Sequence, residues 1–98
     1  MTQRDDLISV ETLKARLEQN ENIYLLDVRT QGERESGHMG GAWIPLDELS
    51  RRIDELPQDQ EIVIYCRSGQ RSQAAVDFLR ESGFLNVKNL VGGILAWS

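Results

Sequence analysis

Apolar side chains fall along this chain in two kinds of run, and the two kinds alternate. "IYLLDV" (Ile23 to Val28) and "IVIYC" (Ile62 to Cys66) are short, apolar at successive positions and partly β-branched. That is the pattern of strands covered on both faces rather than half-exposed. "NVKNLV" (Asn86 to Val91) is a weaker third strand and "AWIPL" (Ala42 to Leu46) a short fourth. Between them the apolar spacing changes to that of helices. "SVETLKARLEQ" offers Ser9 as an N-cap, with Val10, Leu13 and Leu17 on one face. "LDELSRRIDEL" repeats the pattern with Leu46, Leu49, Ile53 and Leu56 and stops at Pro57. "RSQAAVDFLRESG" places Ala75, Phe78 and Leu79 together and ends at Gly83, a left-handed stop. Strands alternating with helices predict an α/β domain, a parallel sheet with helices on both faces.

Two segments break the alternation. "TQGERESGHMGGAW" carries glycines at 32, 37, 40 and 41 and reads as a turn-rich connection. "VGGILAWS", at the far end, reads as the opening of a further helix cut short after half a turn. Residues 1–98 are expected to form a single domain with one core, since there is no repeat, low-complexity tract or linker.

Composition narrows the chemistry. A charge of −5 argues against general nucleic-acid binding, so anion attraction must be focused at one place. One cysteine makes no internal disulfide, and one Cys with one His makes no protein-only zinc site. The opening "MTQRDDLISVETL" lacks an unbroken apolar signal, and the longest apolar run, Ile62 to Cys66, is far too short to span a bilayer. A cytoplasmic protein that engages neither membrane nor nucleic acid is expected.

The lone thiol is then the point of interest. Cys66 ends a predicted central strand, and a helix is predicted to begin about five residues later, where parallel α/β sheets bind ligands. None of Arg67, Ser68, Gly69, Gln70 or Arg71 is proline, so every loop amide can donate. Gly69 lets the loop curl inward into an anion-binding nest with Cys66 at its base. A helix N-terminus and two arginines nearby lower a thiol's pKa. The competing reading is a buried, inert cysteine with solvated arginines. Strand end, glycine, paired arginines and helix start together favour a nucleophilic thiolate facing an anionic substrate.

These residues resemble the rhodanese (sulfurtransferase) family. "YCRSGQRS" is similar to its active-site loop, a Cys followed by four residues and an Arg. "LLDVR" with Glu33, then "SGHMGGAWIPL", resembles the upstream signature, and "LVGGILAW" resembles the closing Gly-Gly-x-x-x-Trp motif. Met39-Gly40 stands where the family usually has Ile-Pro. The resemblance implies a five-stranded parallel sheet and a ping-pong reaction in which Cys66 carries a persulfide. Sulfur would move from thiosulfate or a similar donor to cyanide, a thiol or a protein acceptor. The amides of residues 67 to 71 would stabilise the persulfide anion. Arg67 would attract the donor's sulfonate, and Arg71 would close the loop and add positive potential. Asp27, Arg29 and His38 are read as structural, and Trp43 and Trp97 as packing residues.

The expected partners are a small anionic sulfur donor and a thiol or protein acceptor, with no cofactor and no metal, and the chain is expected to act as a monomer. Three rivals stand against this reading. Phosphatases of this fold hold a tetrahedral oxyanion in a loop one residue longer, so negligible phosphatase activity is expected here. A sulfur-carrier or regulatory module excised from a larger protein would share the fold, although such modules often lack the cysteine. A redox sensor comes last, because no second cysteine exists to resolve a sulfenate.

Overall fold

The computed structural model describes residues 6–97. Expectations about the opening residues and about the end at Ser98 lie outside that range. The elements run β1 (Leu7–Ile8), α1 (Val10–Glu18), β2 (Ile23–Asp27), α2 (Gln31–Glu35), β3 (Ala42–Trp43), β4 (Glu61–Tyr65), α3 (Gln70–Glu81), β5 (Val87–Leu90) and α4 (Gly93–Trp97). All five strands are parallel, in the order β1-β5-β4-β2-β3. The predicted α/β class and parallel sheet are therefore present. β1, too short to carry a period, is the strand the apolar pattern did not reveal.

The central strand decides where everything else lies. Side chains alternate across a strand, so β4 sends Ile62, Ile64 and then Cys66 to one face and Val63 and Tyr65 to the other. Ile62, Ile64 and Cys66 pack with Leu26, Val28, Leu49, Ala75, Val76 and Leu79, beneath α3. Val63 and Tyr65 pack with Ile8, Val10, Leu13 and Leu90, beneath α1 and α4. Both faces are thus covered, and the alternation aims the residue after the strand at the start of α3.

The helix ends follow their local chemistry. Ser9 Oγ accepts from Thr12 N–H at 3.1 Å, the N-cap expected for α1. At the other end Asn20 takes the left-handed conformation at φ 61, which Asn tolerates better than most residues. α3 closes with Phe84 N–H donating to Leu79 C=O and Gly83 N–H to Arg80 C=O, a Schellman-type end. Its buried residues include Ala75 and Leu79 as predicted, with Ser72 and Val76 added and Phe78 only half-buried.

Two predictions need correction. "LDELSRRIDEL" is not an α-helix but two 3₁₀ segments, Leu46–Arg51 and Ile53–Glu55. Its apolar spacing of three, four and three matches two tight turns of three residues per turn, interrupted at Arg52 (φ −118). Arg52 then braces both pieces, bonding Glu48 at 3.0 Å and Glu55 at 2.8 Å. The glycine-rich connection contains α2. Thr30 and Glu33 form a reciprocal capping box there, and the T-x-x-E spacing was the sequence signal for it.

Candidate active site

Cys66 follows directly on β4, and its thiol lies beneath the loop that leads into α3, with only 1% of the residue exposed. It is sunk at the base of a nest. Gly69 N–H points at Sγ from 3.1 Å, Ser72 N–H from 3.4 Å, and Ser72 Oγ lies 3.2 Å away. Gly69, at φ +114, adopts the left-handed conformation that turns its amide inward. Ser72 lies in the first turn of α3, where backbone N–H groups lack helical partners and favour an anion.

The loop is held from its other side by the closing glycines. Ile94 N–H donates to Cys66 C=O at 2.9 Å and Leu95 N–H to Arg67 C=O at 3.2 Å. These bonds tie the Cys66 and Arg67 carbonyls to α4, on the side of the loop away from the amides of Gly69 and Ser72 that meet the sulfur. Gly93 permits that approach. A Cβ at this position would stand 2.4 Å from Arg67 O and 2.6 Å from Cys66 O. The Gly-Gly-x-x-x-Trp motif is therefore part of the mechanical support of the site, with Trp97 packed on the opposite cluster and facing Lys14 at 5.1 Å.

The electrostatics differ in detail from the expectation. Burial pushes the Cys66 thiol up, and hydrogen bonds from the Ser72 hydroxyl and the Ser72, Gly69 and Ser68 amides outweigh it, leaving the pKa lowered. Oriented donors, rather than the arginines, are the main source of the shift. Arg71 is engaged elsewhere: its guanidinium grips Glu33 through two bonds of 2.7 and 2.8 Å. That pair ties α3 to α2 and offsets much of the positive potential assigned to Arg71, although its charge still interacts with Cys66. Arg67, Ser68 and Gln70 have exposed side chains at the outer face of the loop. Within the described residues the amides of Arg67, Gln70 and Arg71 are not among the donors to the resting sulfur.

The residues read as structural make bonds within the fold. Asp27, fully buried, accepts from Arg29 N–H, Nε and Nη2, each at 2.9 Å, and Arg29 Nη2 continues to Gly37 C=O at 2.7 Å. The pair ties the end of β2 to the loop before β3. His38 Nδ1 accepts from Gly40 N–H at 2.9 Å within its own turn. Trp43 Nε1 donates to Arg29 C=O at 2.8 Å. Met39 N–H donates to Tyr65 Oη at 3.2 Å, and that hydroxyl donates to Gly40 C=O at 3.0 Å, so the Met-Gly pair is anchored by the buried tyrosine.

One residue at the sulfur and one behind it were missed from sequence. Ser72 ends the quoted loop motif but sits one turn into the helix. Asn89, an inward-facing polar residue 5% exposed on β5, bonds both Ser72 and the loop. The available sign was a polar residue two positions after Val87, on the face that β5 turns to the core, since buried amides need partners. Among the described residues no cluster of His, Cys, Asp and Glu could hold a metal ion, and no helix is long and apolar enough to cross a membrane.

A parallel sheet with a cysteine nested at the strand-to-helix turn defines a class of domain, and comparison identifies it. The rhodanese-like domain family matches residues 9–98. The chain belongs to that family. A protein named sulfurtransferase from Allochromatium vinosum is 41% identical over 92 residues, spanning 93% of this chain and 86% of that protein. The putative sulfur carrier protein YrkF of Bacillus subtilis is 39% identical, over 93% of this chain but only 50% of its own length. A rhodanese-like domain protein of Staphylococcus aureus superposes with a TM-score of 0.89 at 29% identity, covering 95% of this chain and 91% of that one. Family and relatives together support sulfur transfer as the general activity.

Proposed function

We propose that this chain is a sulfurtransferase moving a sulfane sulfur from thiosulfate, or a related small anionic donor, to a thiophilic acceptor through a persulfide on Cys66. The Cys66 thiolate attacks the outer sulfur of the donor. A new S–S bond forms, the donor's own S–S bond breaks, and sulfite leaves with that electron pair. A cyanide or thiolate acceptor then attacks the terminal sulfur, and Cys66 departs as the thiolate from which the cycle began. Splitting the transfer in two requires a nucleophile that is also a good leaving group, which a low-pKa thiolate is.

The observation that carries this reading is the convergence of Gly69 N–H, Ser72 N–H and Ser72 Oγ on one sulfur. In a persulfide the outer sulfur projects beyond Sγ toward the loop amides of residues 67 to 71. There Ser68, Gly69 and Gln70 supply backbone donors to the anion. Arg67, exposed at the mouth, steers the donor's sulfonate. Arg71 contributes through the part of its charge that Glu33 leaves unneutralised. The donor is a small anion and the acceptor a thiol or protein thiol. The reaction needs no cofactor, the active unit is a monomer, and the setting is cytoplasmic.

A second reading is favoured by the half-length match to YrkF: a sulfur-carrier module that delivers its persulfide to a larger protein. Intact mass spectrometry after thiosulfate treatment tests both. The expected result is a gain of one sulfur atom on the wild type, removed by cyanide, and none on Cys66→Ser. Failure of the folded wild type to gain sulfur overturns the thiosulfate reaction. An adduct that forms but resists cyanide and leaves only to a protein thiol selects the carrier.

A further inference from the structure

The Ser72 hydroxyl stands between two acceptors and has one proton to give. Its Oγ lies 3.2 Å from Cys66 Sγ and 2.5 Å from Asn89 Oδ1. The orientation of the Asn89 amide is fixed independently. Its Nδ2 donates to Gly69 C=O and to Gln73 Oε1, each at 3.0 Å, which uses both amide protons. Oδ1 must therefore face Ser72, and an oxygen pair this close requires a proton between them. Ser72 is wholly buried and Asn89 5% exposed, so the two acceptors compete for this one hydroxyl inside the fold.

From this geometry we infer that Ser72 is a positioning residue with two settings. Its hydroxyl donates to Asn89 Oδ1 while Cys66 is a thiol, and turns to donate to the sulfur when the sulfur becomes an anion. In the first setting the thiol S–H can donate to the Ser72 Oγ lone pair. In the second the hydroxyl donates to the thiolate, and Ser72 Oγ and Asn89 Oδ1, no longer sharing a proton, draw apart from their 2.5 Å contact. Asn89 thus competes with the sulfur for the same proton and restrains ionisation, while its Nδ2 braces the carbonyl of Gly69, whose amide serves Sγ. The relevance to turnover rests on the sulfurtransferase reading. The competition itself concerns only the resting thiol.

A double-mutant cycle tests it, read as the pH midpoint of Cys66 alkylation by iodoacetamide in the whole chain. The four proteins are wild type, Ser72→Ala, Asn89→Val and the double variant. Removing Asn89 loosens the Gly69 brace whether or not Ser72 is present, so that effect cancels between the two backgrounds. The surrounding charges are common to all four: Arg67 in the loop, Arg71 on α3, Glu33 on α2, Asp27 on β2, Asp6 beside Gln73, and Lys88 on β5.

The expected result is that the midpoint change caused by Asn89→Val lies lower by roughly 0.5–1 pH unit with Ser72 present than in the Ser72→Ala background, the worth of one freed hydrogen bond. Equal changes in the two backgrounds, or a more upward change with Ser72 present, overturn the inference. Asn89→Ala, which also lacks the acceptor, is read by the same rule if the valine variants do not fold. Because alkylation needs no sulfur donor, the cycle keeps its meaning even if no persulfide forms. A positive cycle without sulfur loading would fault the proposed reaction and not the shared proton.

Discussion

Gly93→Ala tests whether α4 truly holds the sulfur loop. The residue sits at φ +60, where an alanine costs about 1–2 kcal/mol more than glycine. The added Cβ would stand 2.4 Å from Arg67 O and 2.6 Å from Cys66 O. Both are backbone atoms, so no flexible side chain can move aside, and either the loop or α4 must retreat. Retreat stretches the bonds from Ile94 and Leu95 to those same carbonyls, each worth about 1 kcal/mol. The total is roughly 3–4 kcal/mol, a large share of the ~5–15 kcal/mol that stabilises a typical domain. Urea unfolding should show the midpoint falling by about 2 M, given slopes of ~1–3 kcal/mol/M for small domains. The Cys66 alkylation midpoint should rise, because amides released with the loop no longer face the thiolate. Gly32→Ala is the control: nothing lies within 4 Å of its Cβ position, and alanine is the better helix former there. A Gly93→Ala protein within about 0.5 kcal/mol of wild type, the ordinary scatter of inconsequential surface changes, would refute the brace.

Two further outcomes follow from the ion pairs. Arg71 and the Thr30 cap hold the Glu33 carboxyl down at about 2 from its ordinary 4.5. A depressed acid stabilises the fold above its unfolded pKa and loses that contribution as pH falls through the folded one. Wild type should therefore exceed Glu33→Gln by about 1 kcal/mol near pH 6, the figure being kept small because both side chains are partly exposed. The difference should begin to shrink near pH 4.5 and be lost as pH falls through about 2; a pH-independent difference in urea titrations would contradict the assignment. Arg29→Ala strands the buried Asp27 carboxylate, with Arg34 at 3.4 Å as its remaining cation. It should cost ~3–5 kcal/mol in the same assay, and a loss below about 1 kcal/mol would show that solvent reaches the site.

Much of this was legible in the sequence because the signals were local. Ser9 caps α1 through its own side chain, and Gly83 ends α3 where the apolar face stops. The β4 run ends one residue before the thiol it positions. What could not be read depended on distance. Nothing in "IVIYC" says which face Cys66 takes, since both faces of the strand are apolar; only the packing of α3 over Ile62 and Ile64 decides that. Arg71 looks like a free cation beside Cys66 until folding brings Glu33 to it from 38 positions away. Asn89 is separated from Ser72 by 17 positions, so its competition for the hydroxyl proton has no local trace. The 3₁₀ segments were missed for a different reason: three-residue apolar spacing is shared by both kinds of helix, and only the break at Arg52 separates them.

The site divides its labour between backbone and side chains in a way that bears on specificity. The groups nearest the sulfur are the amides of Gly69 and Ser72 and the buried Ser72 hydroxyl, with the Ser68 amide adding to them. They are aimed by Gly69's left-handed turn, by α4's hold on two carbonyls and by Asn89's brace. None of those supports involves the exposed side chains of Arg67, Ser68 or Gln70. On the proposed sulfurtransferase reading, substitutions at these three side chains would change which donor or acceptor is drawn to the mouth while leaving the amides that meet the sulfur in place. Changes at Gly69, Ser72, Asn89 or Gly93 act on the anion itself, whatever the partner. On this division, sulfur chemistry and partner choice can vary independently on one fold, because the first is written in main-chain geometry and the second in side chains that the main chain does not need.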